Sequence, residues 1–384
     1  MASSFLTRKP DSGLGNIGAS PADPSRNIDW VLMSVQMILT LSGCLVVFSA
    51  SRTRIVDDPY AYATRQVIFT IVAIAVMVVV MTFDYESWKE RAAFLYGLTL
   101  VVLVLLILLG VAGGQDRISF DLGPFNVQPA EMAKFTTLLM LAAYLAQERS
   151  DEVSYPRFLG GLMIVGVPAV LIVLQPDLGS ASVIISMAMG VLLVAGAKVR
   201  YIALISVLSV ATVAAAFFGR LVDRYQITRL EALINPDGID SDFTYQAENA
   251  MRAIGTGGLW GKGWLQGPLT NGRDIPVMWA DFPFAAVGEQ FGLIGCAAML
   301  VLLGVALIRI WRIAHLSRDL LGTYICAGVF TMLLWQIFQN VGMTLQIMPV
   351  TGLPLPFISY GGSGLIVYFA MFGLVQSVHM RRMR

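Results

Sequence analysis

The sequence is poor in charged residues. Only 13% of its 384 residues are charged, whereas soluble domains carry about 25%. Hydrophobic residues make up 57% of the chain and fall into long runs, and a membrane-spanning helix needs about 20 of them in succession. The shortage of charge therefore argues against an ordinary soluble domain and indicates a polytopic membrane protein.

Histidine and cysteine are also scarce. The two histidines, His315 and His379, stand at the ends of apolar runs, so they cannot together build a histidine-based metal site or a serine triad. The three cysteines lie inside apolar segments, where no disulfide is expected. The net charge is +1, which gives no reason to expect nucleic acid as a partner.

Ten apolar runs predict an all-α membrane protein with about ten transmembrane helices. The predicted spans are 29–48, 65–83, 92–112, 131–146, 158–174, 179–197, 201–219, 283–308, 320–344 and 355–379. A long loop, about 220–282, separates the seventh span from the eighth. Residues 1–27, rich in Ser, Gly, Pro and Asp, are expected to form a disordered tail, and residues 28–384 a single transmembrane domain.

The positions of Lys and Arg predict the orientation of these spans. Fifteen of them lie on the side of the two termini, against four on the other side when the long loop is left out. Long loops cross membranes largely regardless of their charge, so the short loops decide the comparison. Both termini are therefore expected in the cytoplasm, and the long loop outside it.

Ionisable residues appear at the span edges on the side of the long loop. At mid-span such a residue costs about 2.5–3.5 kcal/mol to insert, so each calls for a reason. Glu131 and Lys134 are three residues apart on the fourth span, where they can neutralise each other. Two interpretations stay open: a structural ion pair, or a cationic site in which Lys134 and Arg117 face a phosphate.

Asp281 stands where the long loop enters the eighth span, just before Phe282 and Pro283. An aspartate at such a helix start is typical of an N-cap. A carboxyl group beside aromatic rings at the membrane edge is equally a candidate general base. Glu289 follows eight residues later and is expected to line the same cavity without touching Asp281.

Three further segments carry unusual residues. Asp177, in the turn before the sixth span, is interpreted as a helix cap. The glycine-dense stretch 255–263, which contains Lys262, forms either an anion-binding nest or tight turns. Residues 349–363 hold three prolines and three glycines, which prevent a regular helix. Irregular backbone at membrane depth is tolerated where it lines a cavity, so this segment is expected to enclose a site.

Four ordered motifs make the chain resemble the SEDS family, the family of RodA and FtsW. The motifs are Gln128-Pro129-Ala130-Glu131 with Lys134, Gln175-Pro176-Asp177-Leu178-Gly179, Asp281-Phe282 with Glu289, and Gly352-Leu353-Pro354-Leu355-Pro356-Phe357-Ile358-Ser359-Tyr360-Gly361-Gly362-Ser363. The last of these is highly specific. Residues 350–352 are more similar to the elongation branch, RodA, than to the division branch.

The resemblance implies a peptidoglycan glycosyltransferase that polymerises lipid II during cell-wall elongation. In this reaction the 4-hydroxyl of one GlcNAc attacks the anomeric carbon of the growing chain's MurNAc, and undecaprenyl pyrophosphate leaves. Asp281 is the candidate base, and Arg117 with Lys134 is the candidate pyrophosphate clamp. The other candidate lipid II-binding residues are Gln128, Glu131, Lys262, Glu289, Ser359 and Ser363.

The resemblance also implies the bacterial inner membrane as location and a class B penicillin-binding protein as partner. A divalent cation, Mg²⁺ or Mn²⁺, is a candidate to share the clamp role, although the sequence shows no dedicated set of ligands. The alternatives are a flippase of the lipid-linked precursor, a division-type polymerase and a scaffold that activates a partner enzyme. A flippase needs access from both faces, whereas the unusual residues concentrate on one.

Overall fold

The structure, a computed structural model, is almost entirely helical. It describes residues 27–54, 58–113, 118–122, 125–147, 153–203, 206–207, 228, 242–272 and 274–383. The elements in these ranges are α1 Trp30–Ser51, α2 Ala61–Thr82, α3 Tyr85–Gly113, β1 Phe120–Leu122, β2 Phe125–Val127, α4 Pro129–Leu145, α5 Tyr155–Val173, α6 Leu178–Val194, α7 Asp242–Gly257, α8 Pro268–Asn271, α9 Pro283–His315, α10 Leu320–Thr344 and α11 Gly362–Met380.

Seven helices within these ranges, α1, α2, α3, α5, α9, α10 and α11, are long and apolar enough to cross a membrane. The shorter helices α4 and α6, of 17 residues each, occupy the predicted fourth and sixth spans. Nine of the ten predicted spans thus coincide with helices, and the fold class is confirmed. The seventh, 201–219, lies mostly outside the described residues, as does the predicted tail apart from Asn27.

The start of the last span and the loop before α4 are among the local features that differ from the sequence-based expectation. The last span was predicted to start at residue 355, but α11 begins at Gly362, because the prolines before it interrupt the hydrogen-bond ladder of a helix. The loop before α4 contains a small antiparallel hairpin, in which Phe120 pairs with Val127. Strands of three residues are too short to leave an alternating pattern in the sequence.

The helices alternate in direction, so the bundle has two ends. The loop end holds the last residues of α1, α3, α5 and α10, the first residues of α2, α4, α6, α9 and α11, and the described parts of the long loop. The opposite end, where the described chain begins and finishes, is called the tail end. Irregular backbone at the loop end has to find its hydrogen-bond partners inside the protein.

Polar contacts join distant helices at the tail end. Arg309 Nε on α9 donates to Asp29 Oδ2, 2.9 Å away, at the start of α1. Gln376 on α11 exchanges two hydrogen bonds, of 3.0 and 2.9 Å, with the backbone of Asp29. Arg381, only 5% exposed, lies 3.3 Å from Asp84 in the turn before α3. These contacts fasten the ends of α1, α9 and α11 to one another.

Helix α9 bends sharply at Gly292, and the long loop packs into the bend. Gly292 has a φ of 66° and a ψ of −162° inside α9, a conformation that only glycine adopts readily. Leu293 N then donates to Gly258 O at 2.9 Å, and Ile294 N to Leu259 O at 3.3 Å. The bend therefore lets backbone amides of α9 bind the loop segment 258–264, which we call the bend segment.

Replacing the glycine at the bend tests this geometry. We expect Gly292→Ala to lower the Tm of the detergent-solubilised protein, because a positive φ with an extended ψ costs a residue other than glycine about 1–3 kcal/mol. The added Cβ would also stand 2.5 Å from Leu259 O. Gly304→Ala, on the same helix where the Cβ meets no atom within 4 Å, is the control. Equal Tm values for the two variants would contradict the assigned bend.

Candidate functional site

The loop end brings the predicted motifs into contact through side-chain hydrogen bonds. Ser363 Oγ donates to Asn126 O at 2.8 Å and accepts from Gln128 N at 3.2 Å. Gln128 Nε2 donates to Asp177 Oδ2 at 2.9 Å. Asp177 Oδ1 accepts from Ser180 N at 2.9 Å, which confirms the cap interpretation. Three motifs that are far apart in sequence therefore meet at one place.

Asp281 is partly exposed, at the start of α9. Phe282, rather than Asp281, occupies the N-cap position of this helix. A Cβ on Gly352, which has a φ of +71°, would lie 4.0 Å from Asp281 Oδ1, so the carboxylate faces this turn of the proline-rich motif. Asn340 Nδ2 donates to both Asp281 O and Leu353 O at 2.8 Å. The amide of Asn340 thus joins the aspartate turn to the motif.

The rest of the proline-rich motif is held by buried side chains. Ser359 Oγ accepts from Leu355 N at 2.7 Å, so this predicted substrate-binding hydroxyl supports its own loop. Gln66 on α2 is fully buried, and its Nε2 donates to Ser359 O at 3.3 Å. Tyr360 N donates to Trp279 O at 3.0 Å. The motif is therefore fastened to α2 on one side and to the segment before Asp281 on the other.

Glu131 and Lys134 form a buried ion pair inside the bundle. Lys134 has no exposed surface and Glu131 only 3%, and Lys134 Nζ lies 2.5 Å from Glu131 Oε1. The second oxygen, Glu131 Oε2, has no hydrogen-bond partner among the described residues. Tyr368, also buried, accepts a hydrogen bond from Gln336 at 2.9 Å. In this arrangement the lysine charge is neutralised within the protein.

The carboxylate of Glu289 is hydrogen-bonded to residues of the long loop. It is fully buried, and its two oxygens accept from Leu269 N at 3.0 Å, Thr270 N at 2.7 Å and Thr270 Oγ1 at 2.6 Å. Lys262 Nζ lies 3.8 Å away. The carboxylate therefore anchors α8 and the bend segment to α9. The structure brings Glu289 to Lys262 and Thr270, and its predicted contact with lipid II stays a prediction.

Arg117, the other half of the predicted clamp, lies outside the described residues. The described part of the site therefore contains Asp281, the Glu131–Lys134 pair, Gln128, Ser359 and Ser363, with Glu289 and Lys262 beside it.

Comparisons with known proteins identify the family of the chain. A family model described as cell cycle protein, FTSW_RODA_SPOVE, matches residues 29–384. The chain belongs to this family. The resemblance to the SEDS family, which was drawn from four motifs, is thereby confirmed.

Members of the family that resemble the chain include sporulation and cell-wall proteins. Stage V sporulation protein E of Bacillus subtilis is 31% identical over 363 residues, covering 91% of this chain and 96% of the relative. Peptidoglycan glycosyltransferase MrdB of Escherichia coli is 32% identical over 359 residues, covering 93% and 94%. The chain is therefore similar to both proteins over almost their whole length.

Solved structures of this family have the same fold. The rod shape determining protein RodA of Thermus thermophilus superposes with a TM-score of 0.69 at 26% identity, covering 93% of this chain and 98% of that one. A chain from a peptidoglycan synthase complex, in which polymerization and crosslinking are coordinated, gives a TM-score of 0.76 at 26% identity, covering 92% and 98%.

Sequence analysis of this family member missed the amides that support the site. Three amide side chains, those of Asn340, Gln66 and Gln336, are completely buried in helices. None of them carries an ionisable group or lies in a turn, which are the two signals that identified the other candidates. A buried amide without a partner costs about 1–3 kcal/mol, so an amide inside an apolar helix is itself a signal. That signal would have identified all three.

Paired substitutions distinguish the two interpretations of Lys134. Lys134→Met should destabilise the protein by about 3–5 kcal/mol, because it leaves the buried Glu131 carboxylate unpaired. The double variant Glu131→Gln/Lys134→Met removes both charges and should recover most of the Tm. If the recovered protein also polymerises lipid II normally, the pair is structural. If the double variant folds but fails to bind lipid II while Glu131→Gln alone still binds it, Lys134 belongs to a phosphate clamp.

Proposed function

We propose that the chain is a peptidoglycan glycosyltransferase that polymerises lipid II at the loop end of its membrane bundle. The observation that carries this proposal is the position of Asp281. Its partly exposed carboxylate lies beside Gly352, at the membrane edge where α9 begins and close to the proline-rich motif. The names of relatives such as MrdB, a peptidoglycan glycosyltransferase, support the same reaction class.

Asp281 acts as general base in the proposed reaction. It takes the proton from the 4-hydroxyl of a GlcNAc unit while that oxygen forms a bond to the anomeric carbon of MurNAc. The bond from that carbon to the pyrophosphate oxygen breaks, and undecaprenyl pyrophosphate leaves with the bonding electrons. A fixed carboxylate also stabilises the positive charge that develops on the sugar ring. Asn340 holds the Asp281 backbone in place during these steps.

Cationic groups must stabilise the leaving pyrophosphate. Arg117 remains the candidate from the sequence. Lys134 is paired and has no exposed surface, so it reaches a phosphate only if Glu131 releases it. Glu131, Asp177 and Glu289 already accept hydrogen bonds within the protein. Because these carboxylates are engaged, we assign no step to a divalent cation.

Contacts at the tail end argue against a flippase, the main alternative. A flippase must open to both sides of the membrane in turn. Here the pairs Asp29–Arg309 and Asp84–Arg381 fasten several helices together at the tail end, whereas the candidate site residues that the structure describes lie at the loop end.

The role in elongation and the partner are further parts of the proposal. The motif at residues 350–352 favours the elongation branch, although relatives from sporulation and division are about equally similar. A class B penicillin-binding protein is the proposed partner, and a structural relative from a peptidoglycan synthase complex supports it. The proposed location is the inner membrane of a bacterium, with both termini in the cytoplasm.

Cysteine labelling tests the proposed orientation. We expect Arg252→Cys, on an exposed position of α7, to react with a membrane-impermeant maleimide added to intact spheroplasts, because short basic loops keep the tail end inside. His315→Cys, exposed at the tail end, should react only after permeabilisation. The native cysteines are at least partly buried, so the unmodified chain is the background. The reverse pattern would refute the orientation.

An amide substitution tests the proposed base. Asp281→Asn should reduce polymerisation of lipid II by about 10²–10⁴-fold, since an amide cannot accept the proton. Folding should persist, because Asn340 binds the Asp281 backbone carbonyl rather than its side chain. The matched control is Asp274→Asn in the same loop, which should keep its activity. The measurement is glycan polymer formed by purified complexes per folded protein. Wild-type product from Asp281→Asn would exclude the residue as base.

A further inference from the structure

The bend segment lies at the level where the side chains of α9 first become exposed on the outer surface of the bundle. The first eight residues of α9, 283–290, are all buried, and the long loop packs against them. Exposure begins at Phe291 and continues with Leu293, which is 61% exposed, and Val301, which is 64% exposed. Residues 291–315 would extend about 37 Å at 1.5 Å per residue, enough to cross the hydrocarbon core without the first eight.

The bend segment presents large apolar side chains outward at this level. Trp260 is 80% exposed, Leu259 62% and Trp264 42%. The backbone of Leu259 is fixed to α9 by the bond from Ile294 N, and the Trp264 ring lies 6.2 Å from Phe48 on α1. Exposed aromatic rings held at the edge of a lipid-facing surface are typical of a membrane–water interface.

Two distances within the bundle agree with such an interface. On α9, Ile294 and the exposed Trp311 are 17 residues apart, or about 26 Å. On α1, Phe48 and Trp30, which is 64% exposed, are 18 residues apart, or about 27 Å. Both lengths are close to the hydrocarbon thickness of about 30 Å. Tryptophans therefore lie at both ends of the exposed apolar surface. The tryptophans at the loop end, Trp260 and Trp264, belong to the bend segment.

We propose that Trp260, Leu259 and Trp264 insert into the bilayer at the boundary between acyl chains and headgroups, and so anchor the long loop at a defined depth. The occupant of this exposed surface is lipid, because the surface continues the exposed apolar face of α9. A transmembrane helix of another protein is the competing occupant. The proposal assigns the bend segment a role in membrane attachment that is separate from the Asp281 site.

The anchor has a consequence that rests on the proposed function. Trp264 of the anchor lies beside Phe48 near the end of α1, and Trp279, two residues before Asp281, packs against Tyr62 at the start of α2. The end of α1 and the start of α2 are adjacent in the chain, so Asp281 lies near the level of the anchor. The sugars of a lipid-linked substrate are attached to a pyrophosphate at the headgroup level, so the anchor would set the depth at which Asp281 meets them.

Fluorescence quenching in proteoliposomes tests the anchor without any activity measurement. The difference in tryptophan emission between the wild type and Trp260→Phe isolates the contribution of Trp260. We expect lipids brominated near the headgroup to quench it clearly, and lipids brominated near the chain end much less, because interfacial tryptophan rings lie at the headgroup level. The control is Trp279→Phe, because the Trp279 ring is packed against Tyr62 and Arg54 and should be little quenched.

Three outcomes would overturn the proposal. The Trp260 emission is unaffected by every brominated lipid, which places the ring in water. It is quenched best by bromine near the chain end, which places the ring in the hydrocarbon core. It is quenched in the isolated chain but protected when the class B partner is added, which makes the surface a protein interface.

An activity measurement separates this proposal from the proposed function. Trp260→Glu should lower the yield of polymer several-fold, whereas Trp260→Phe should retain most of it. If the quenching pattern holds but neither the wild type nor its complex makes polymer, the anchor stands and the proposed function fails. If polymer forms but quenching is absent, the function stands and the anchor fails.

Discussion

The structure depends on the pairing of backbone polar groups that a membrane cannot solvate. Helices satisfy their own amides and carbonyls, but the chain leaves helical geometry between Thr344 and Gly362 and again before Pro283. Buried side-chain amides compensate for these breaks, with Asn340 joining two carbonyls and Gln66 supporting Ser359. The site exists because irregular backbone at membrane depth is stable only where neighbouring helices supply such partners.

The two ends of the bundle differ in how their buried polar groups are paired. At the tail end, the buried carboxylate of Asp29 is paired with Arg309. At the loop end, neutral amides and hydroxyls do most of the pairing, and Glu131–Lys134 is a sealed ion pair. Asp281 stays partly exposed at this end. The proposed chemistry is assigned to the loop end because the candidate base lies there.

Most of the architecture could be predicted from the sequence, because hydropathy is a local property that needs no knowledge of neighbours. The eighth and ninth predicted spans begin at Pro283 and Leu320, as α9 and α10 do. The predictions failed where tertiary contacts, rather than local hydropathy, decide where a helix forms or begins. The last span starts later than predicted, and α7 and α8 were not anticipated inside the long loop, since α7 is only amphipathic and α8 has four residues.

The sequence by itself determined the membrane class, the family and the residues that carry unusual chemistry, since apolar runs and ordered motifs are properties of the chain alone. Only the tertiary structure decided which partner each polar residue has. The expectation that Glu289 lines one cavity with Asp281 stays a prediction, whereas the structure gives Thr270 of the loop as its hydrogen-bond partner and shows that the buried Asn340 joins Asp281 to Leu353. Hydrogen bonds depend on ångström distances between helices, which sequence spacing does not encode.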